Sequence, residues 1–248
     1  MSGKLNSTDF RRSNLILTFL IVVSIFGFFL STFFAFHTST QGSGFAYRKL
    51  VAGTAFTILC VSGILASLFP SSCSAIPKFK KQNKQEKSAA PLHKTTFQAH
   101  HPPCDNYSTH ILIIGRMKLC ATCSGLMVGA TFVLFVAGLY FFGSYSLGDP
   151  FLLFPVGATG VALGLIQSAL PKYSNGIVRF IASILFVVGT FLMLVGLDNA
   201  AKNISIDLFF VAISLFWILT KIALSERDHQ QTCSNCTANS CPKGKKMR

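Results

Sequence analysis

NLILTFLIVVSIFGFFLSTFFAF, residues 14–36, runs for twenty-three residues without a charged side chain. As a helix rising about 1.5 Å per residue it reaches ~34 Å, enough to cross the ~30 Å hydrocarbon core of a bilayer. The run exceeds the roughly 7–15 apolar residues of a secretory signal core, and no small-x-small cleavage pattern follows it. It reads as a retained membrane span. Five further apolar runs follow, over 51–69, 119–142, 151–170, 177–197 and 206–224. The fourth carries Pro155, Gly157, Gly160, Gly164 and Gln167, and membrane helices tolerate proline and glycine better than soluble ones do.

Composition agrees with these spans. Hydrophobic residues make up 51% of the 248 and phenylalanine alone occurs 25 times, whereas charged residues account for only 12%. That charged share is about half of what soluble domains carry. The expected fold is all-α, a polytopic integral membrane protein of about six transmembrane helices with a long basic cytoplasmic loop.

The net charge of +14 follows the topology. With both termini on one side, that side holds nineteen of the twenty-two Lys and Arg residues, leaving Arg48, Lys49 and Lys202 opposite. By the positive-inside rule both termini and the long loop are cytoplasmic, and the expected location is the cell membrane. KFKKQNKQEK, residues 78–87, is then a solvated loop near anionic headgroups, and no nucleic-acid partner is expected. The expected partners are the lipid bilayer and another membrane protein or a second copy of the chain.

No internal repeat of fixed period stands out. The chain divides into a two-helix membrane segment (1–70), a basic linker (71–98), a His/Cys segment followed by four spans (99–224) and a Cys-rich basic tail (225–248). Gly125 and Gly129, and again Gly160 and Gly164, form GxxxG ridges. Glycines four apart share one helix face and let backbones approach, so the spacing predicts close pairing of the third and fourth spans. Asp149, Asp198 and Asp207 stand at outer span ends. Gln167 and Arg179 lie near cytoplasmic span ends, where interhelical hydrogen bonding and snorkelling toward headgroups account for them. Coupled ion transport is disfavoured without a run of charges inside the spans, although a lipid or neutral solute would leave no such trace.

Eight cysteines complete the inventory. Cys60 and Cys73 read as small apolar thiols. The other six form two groups on the cytoplasmic side, where stable disulfides are rare and metal or redox chemistry gains weight. The first group is His100, His101, Cys104, Cys120 and Cys123. Zinc takes four ligands from thiolate and imidazole, often two from one CxxC, and fifteen intervening residues let Cys104 fold back on the pair. His100 or His101 is the expected fourth ligand, with His110 a weaker candidate. Cys120 and Cys123 also stand at a helix start, where free amide N–H groups favour thiolate, so zinc or iron binding, thiol redox chemistry and unliganded thiols all remain open. Ser124 after the pair removes covalent c-type haem attachment. The second group, His229, Cys233, Cys236 and Cys241, supplies four potential ligands within thirteen residues. It is either a metal-ordered segment or a tail with reactive thiols.

LCATCSGLMVGA, residues 119–130, and its surroundings resemble domain-of-unknown-function family 2085 (DUF2085), whose CxRCxG signature opens a membrane helix. Cys120, Cys123 and Gly125 match that signature, with Thr122 in place of the usual arginine. Gln167, Ser174 and Arg179 match a later pattern in which a helix ends in Gln and an Arg opens the next, while Leu163 stands near the place of the family's acidic residue. The resemblance spans roughly residues 97–196. It implies a small helical membrane domain with no established reaction, and a site at the cytoplasmic mouths of spans three, four and five. The expected role is structural, regulatory or accessory rather than enzymatic. The alternatives are a thiol–disulfide oxidoreductase using Cys120 and Cys123, and a transporter of a lipid or neutral solute.

Overall fold

Six helices, each long and apolar enough to cross a bilayer, dominate the structure, and the protein is an all-α polytopic membrane protein. The computed structural model describes residues 7–37, 47–68, 111–114, 117–143, 145, 148–170 and 175–234. The elements are α1 (Ser7–His37), α2 (Arg48–Leu68), an antiparallel hairpin of β1 (Ile111–Ile114) and β2 (Met117–Cys120), α3 (Ala121–Phe141), α4 (Pro150–Ala169), α5 (Gly176–Ala201) and α6 (Ile204–Ser234).

Local chemistry sets the boundaries. The third span begins at Ala121 rather than 119 because the residues before it pair in β2, a strand that the all-helical expectation did not contain. Asp149 caps α4, its carboxylate accepting from the Phe151 N–H at 3.0 Å, and Pro150 occupies the first turn, where its missing N–H costs nothing. Lys202 closes α5 in the left-handed conformation (φ 48°). Asn203 then accepts from the Ser205 N–H at 2.9 Å, so α6 starts after a two-residue connection. Past residue 224, α6 continues for ten polar residues to Ser234.

Helix α5 is the hub. Within the bundle 61% of its span is buried, against 22–33% for the other five. Lipid tails are as apolar as leucine, so close van der Waals packing, not water exclusion, must hold these helices together. The two GxxxG ridges supply that packing, but not to each other as the spacing predicted. A β-carbon on Gly125 would strike the Phe180 carbonyl and Ser183, and one on Gly129 would lie 3.2 Å from Ile184 Cα, all on α5. On α4, a β-carbon at Gly160 would come within 2.7 Å of the Leu185 carbonyl, and one at Gly164 within 2.5 Å of Phe186 Cβ. Residues 180, 183, 184 and 187 form one stripe of α5, and 182, 185, 186 and 189 form another on nearly the opposite side. The third and fourth spans therefore use their glycines on α5. A spacing motif identifies a close-packing face, while the identity of its partner depends on which helix has small residues or backbone free to meet it.

Away from α5, α1 is tied to α6. Ser24 Oγ and Thr220 Oγ1 lie 2.7 Å apart, and Trp217 Nε1 donates to the Ser24 carbonyl at 3.0 Å. Cys60 is buried in the core beside Phe56, as expected of a small apolar thiol.

Candidate functional site

Polar side chains gather at the two ends of the bundle. At one end the starts of α3 and α5 meet the ends of α4 and α6. The hairpin delivers Cys120 there: it ends β2, opposite Ile111 in the register, and acts as the N-cap residue of α3. Cys123 follows in the first helical turn, and Ser124 Oγ donates back to the Cys120 carbonyl at 2.8 Å. Both cysteines are half-buried. Close contact of Gly125 with the Phe180 carbonyl draws this turn against the first turns of α5, which carry Arg179. That approach joins the CxxC to the arginine that the sequence reading associated with it.

The thiol of Cys120 is pulled from its ordinary value of 9.0 down to about 6. The largest cause is a hydrogen bond from the Cys123 thiol. Burial acts the other way, and the backbone N–H groups of Cys123 and Thr122 and the positive charge of Arg179 add to the lowering. Folding thus favours the thiolate, a preference fully present above the unfolded value and lost as pH falls through about 6. In metal-free, reduced protein, iodoacetamide labelling of Cys120 followed by mass spectrometry should rise with a midpoint near pH 6. In Cys123→Ala the midpoint should move upward. A wild-type midpoint at the ordinary thiol value would show that the pair does not interact in this way.

Arg179 does not snorkel. It is 5% exposed, and its Nη1 donates to Asp228 Oδ2 of α6 at 2.8 Å. A carboxylate one helix away holds the guanidinium inside, so solvation by headgroups is not needed. Lys221 of α6 is buried as well. Its Nζ donates to the Gly164 carbonyl and to Ser168 Oγ, each at 2.9 Å, and lies 5.3 Å from the Phe186 ring centroid. Both acceptors belong to the last turns of α4, where Ser168 Oγ itself donates to the Gly164 carbonyl at 3.0 Å. Gln167 is half-buried in the same turn. His229 and Cys233 fall on the last turns of the α6 backbone, with side chains outside the described residues. His100, His101, Cys104, His110, Ser174, Cys236 and Cys241 also lie outside them. Among the described residues no three His, Cys, Asp or Glu side chains cluster as metal ligands.

The opposite end holds a network that sequence reasoning missed. Arg48 Nη1 donates to Asp198 Oδ1, to the Asp198 carbonyl at 3.0 Å and to Asp207 Oδ2 at 2.9 Å. Tyr140 donates to Asp198 Oδ2 at 2.6 Å, and Lys49 Nζ sits 4.5 Å from the Tyr140 ring centroid. Asp198 and Asp207 stand at span ends, as their positions suggested, and are fully buried there. The two-residue turn between α5 and α6 brings them together, and α2 and α3 supply Arg48 and Tyr140. A signal existed: Arg48 is one of only three cations on its side of the chain, close to the same membrane boundary as both carboxylates. No family model, curated protein or solved structure matches the chain.

Proposed function

We propose that the Cys-bearing end holds a zinc or iron ion, with Cys120 and Cys123 as two of its ligands. Cys104 and His100 or His101 complete the four. The observation that carries this reading is the strand–helix junction. Cys120 closes a hairpin and Cys123 stands in the first turn of a helix, placing two thiols side by side in a setting that favours thiolate. Ile111 pairs with Cys120, so the chain preceding β1 departs from beside the thiols. Cys104 lies seven residues upstream of Ile111, within a reach of up to about 23 Å. Arg179 supplies positive charge against a thiolate-rich site, whose tetrahedral complex would carry net negative charge.

On this reading the protein is a multi-pass membrane protein with a structural, regulatory or accessory role, and its termini and metal site face the cytoplasm by the charge asymmetry. His229, Cys233, Cys236 and Cys241 are proposed as a second metal set. The adjacency of Cys120 and Cys123 also supports a second reading, thiol–disulfide exchange. There the two thiols close to a disulfide and pass two electrons and two protons to an acceptor.

Metal analysis of protein purified reduced and without oxygen separates the two. With the tail cysteines replaced by alanine, about one zinc or iron per chain is expected, and Cys120→Ser/Cys123→Ser should abolish it. Protein without metal that forms and re-reduces a Cys120–Cys123 disulfide would transfer the assignment to redox chemistry.

A further inference from the structure

A carbon-lined groove opens between α1, α4 and α6 on the bilayer-facing side of the bundle. It runs from Ala169 and Leu224, near the Cys-bearing end, to Phe29 and Ala162 deeper in the membrane. Seven residues of α4 separate its limits, a length of about 10 Å. Its volume is about 290 Å³, room for on the order of ten methylenes if each takes about the space of a liquid water. A helix, ~10 Å across with its side chains, is too wide to enter.

The lining offers nothing to a polar ligand. Its two hydroxyls, Ser24 and Thr220, bond to each other, and Thr220 also donates to the Phe216 carbonyl at 2.8 Å. Ile25, Phe29 and Ile166 line the groove and are more than half exposed, so its mouth faces the bilayer hydrocarbon. Arg227, exposed, stands one helical turn beyond Leu224, at the end where a lipid headgroup would sit.

The geometry points to a binding site for one acyl chain of an anionic phospholipid from the leaflet at the Cys-bearing end. The chain fills the groove and the headgroup phosphate meets Arg227. Hydrocarbon fills the space between α1 and α4, each of which packs on α6 more than on the other. Charge at the mouth selects the headgroup, because a buried carbon surface cannot.

Trp217, the single tryptophan, reports on this groove: it is buried, and its indole bonds to Ser24 of the lining. Bromine on an acyl chain in the groove should quench it, whereas lipid elsewhere around the bundle should not. The protein is reconstituted in bilayers containing brominated phosphatidylglycerol or brominated phosphatidylcholine. Stronger quenching by the anionic lipid is expected. Ala162→Phe, which fills the groove, should lose most of the quenching, and Ala169→Leu should lose part of it. Val128→Phe, a lipid-facing control on α3, should lose none. Arg227→Gln should keep the quenching and lose the preference for phosphatidylglycerol. Melting curves establish that each variant is folded. Equal quenching in wild type and in folded Ala162→Phe and Ala169→Leu overturns the site, and an unchanged lipid preference in Arg227→Gln overturns the headgroup assignment. If Ala162→Phe instead dissociates an oligomer without changing the quenching, the groove belongs to a second copy and the proposal fails.

Discussion

Arg48→Met protein in detergent is expected to melt on the order of 10 °C below wild type, a loss of about 3–5 kcal/mol. Arg48 donates to both Asp198 and Asp207, and neither carboxylate has access to solvent. Removing the guanidinium leaves two carboxyl groups buried together, and among the described residues Tyr140 still donates to one of them. Arg48→Lys should recover only part of the loss, because Nη1 alone makes all three contacts and an ammonium on a shorter stem falls short of that position. Removing the whole cluster should cost less than breaking it. The triple variant Arg48→Met/Asp198→Asn/Asp207→Asn is therefore expected to melt above Arg48→Met alone, and a lower midpoint would refute the buried-charge account. The network joins α2, α3, α5 and α6, so its loss should loosen the whole of that end of the bundle.

Gly189→Leu should be the most damaging single change in the membrane core. A β-carbon there would lie 2.6 Å from the Gly157 carbonyl and 2.9 Å from the Val161 nitrogen. Both are backbone atoms and cannot rotate away, so α4 and α5 must separate. Overpacking of this kind costs about 1–3 kcal/mol where side chains can yield, and more where backbone is the obstacle. The measurable outcome is loss of the monodisperse peak in size-exclusion chromatography of solubilised protein. Gly138→Ala is the control, because a β-carbon at that position has open space around it. It should leave the peak intact and stabilise α3 by about 0.5–1 kcal/mol. Equal behaviour of the two variants would show that the α4–α5 contact is not a tight backbone seam.

The number and placement of spans were legible because hydrophobic length is a one-dimensional property. Residues 14–36 require a membrane wherever they sit in the fold, and α1 covers them. Cys120 and Cys123 were recognisable as a pair at a helix start for the same reason: three residues of spacing and the apolar run that follows are local facts. The hairpin before them was harder to read. ILII and MKLC are too short to distinguish a buried strand from the lead-in of a helix, and only their pairing makes β1 and β2.

Sequence alone determined that this is a helical membrane protein with a thiol pair at the mouth of its third span. Tertiary structure alone decided what meets what. Gly125 and Gly160 both announce close packing, yet that both close on α5 depends on the arrangement of all six helices. Asp198 and Asp207 look like ordinary span-end acids until the turn at Lys202 brings them together and Arg48 arrives from a helix 150 residues earlier in the chain. Apolar length is set by neighbours along the chain. A charge or a glycine gains its meaning from the neighbour across the interface, and that neighbour exists only once the bundle has closed.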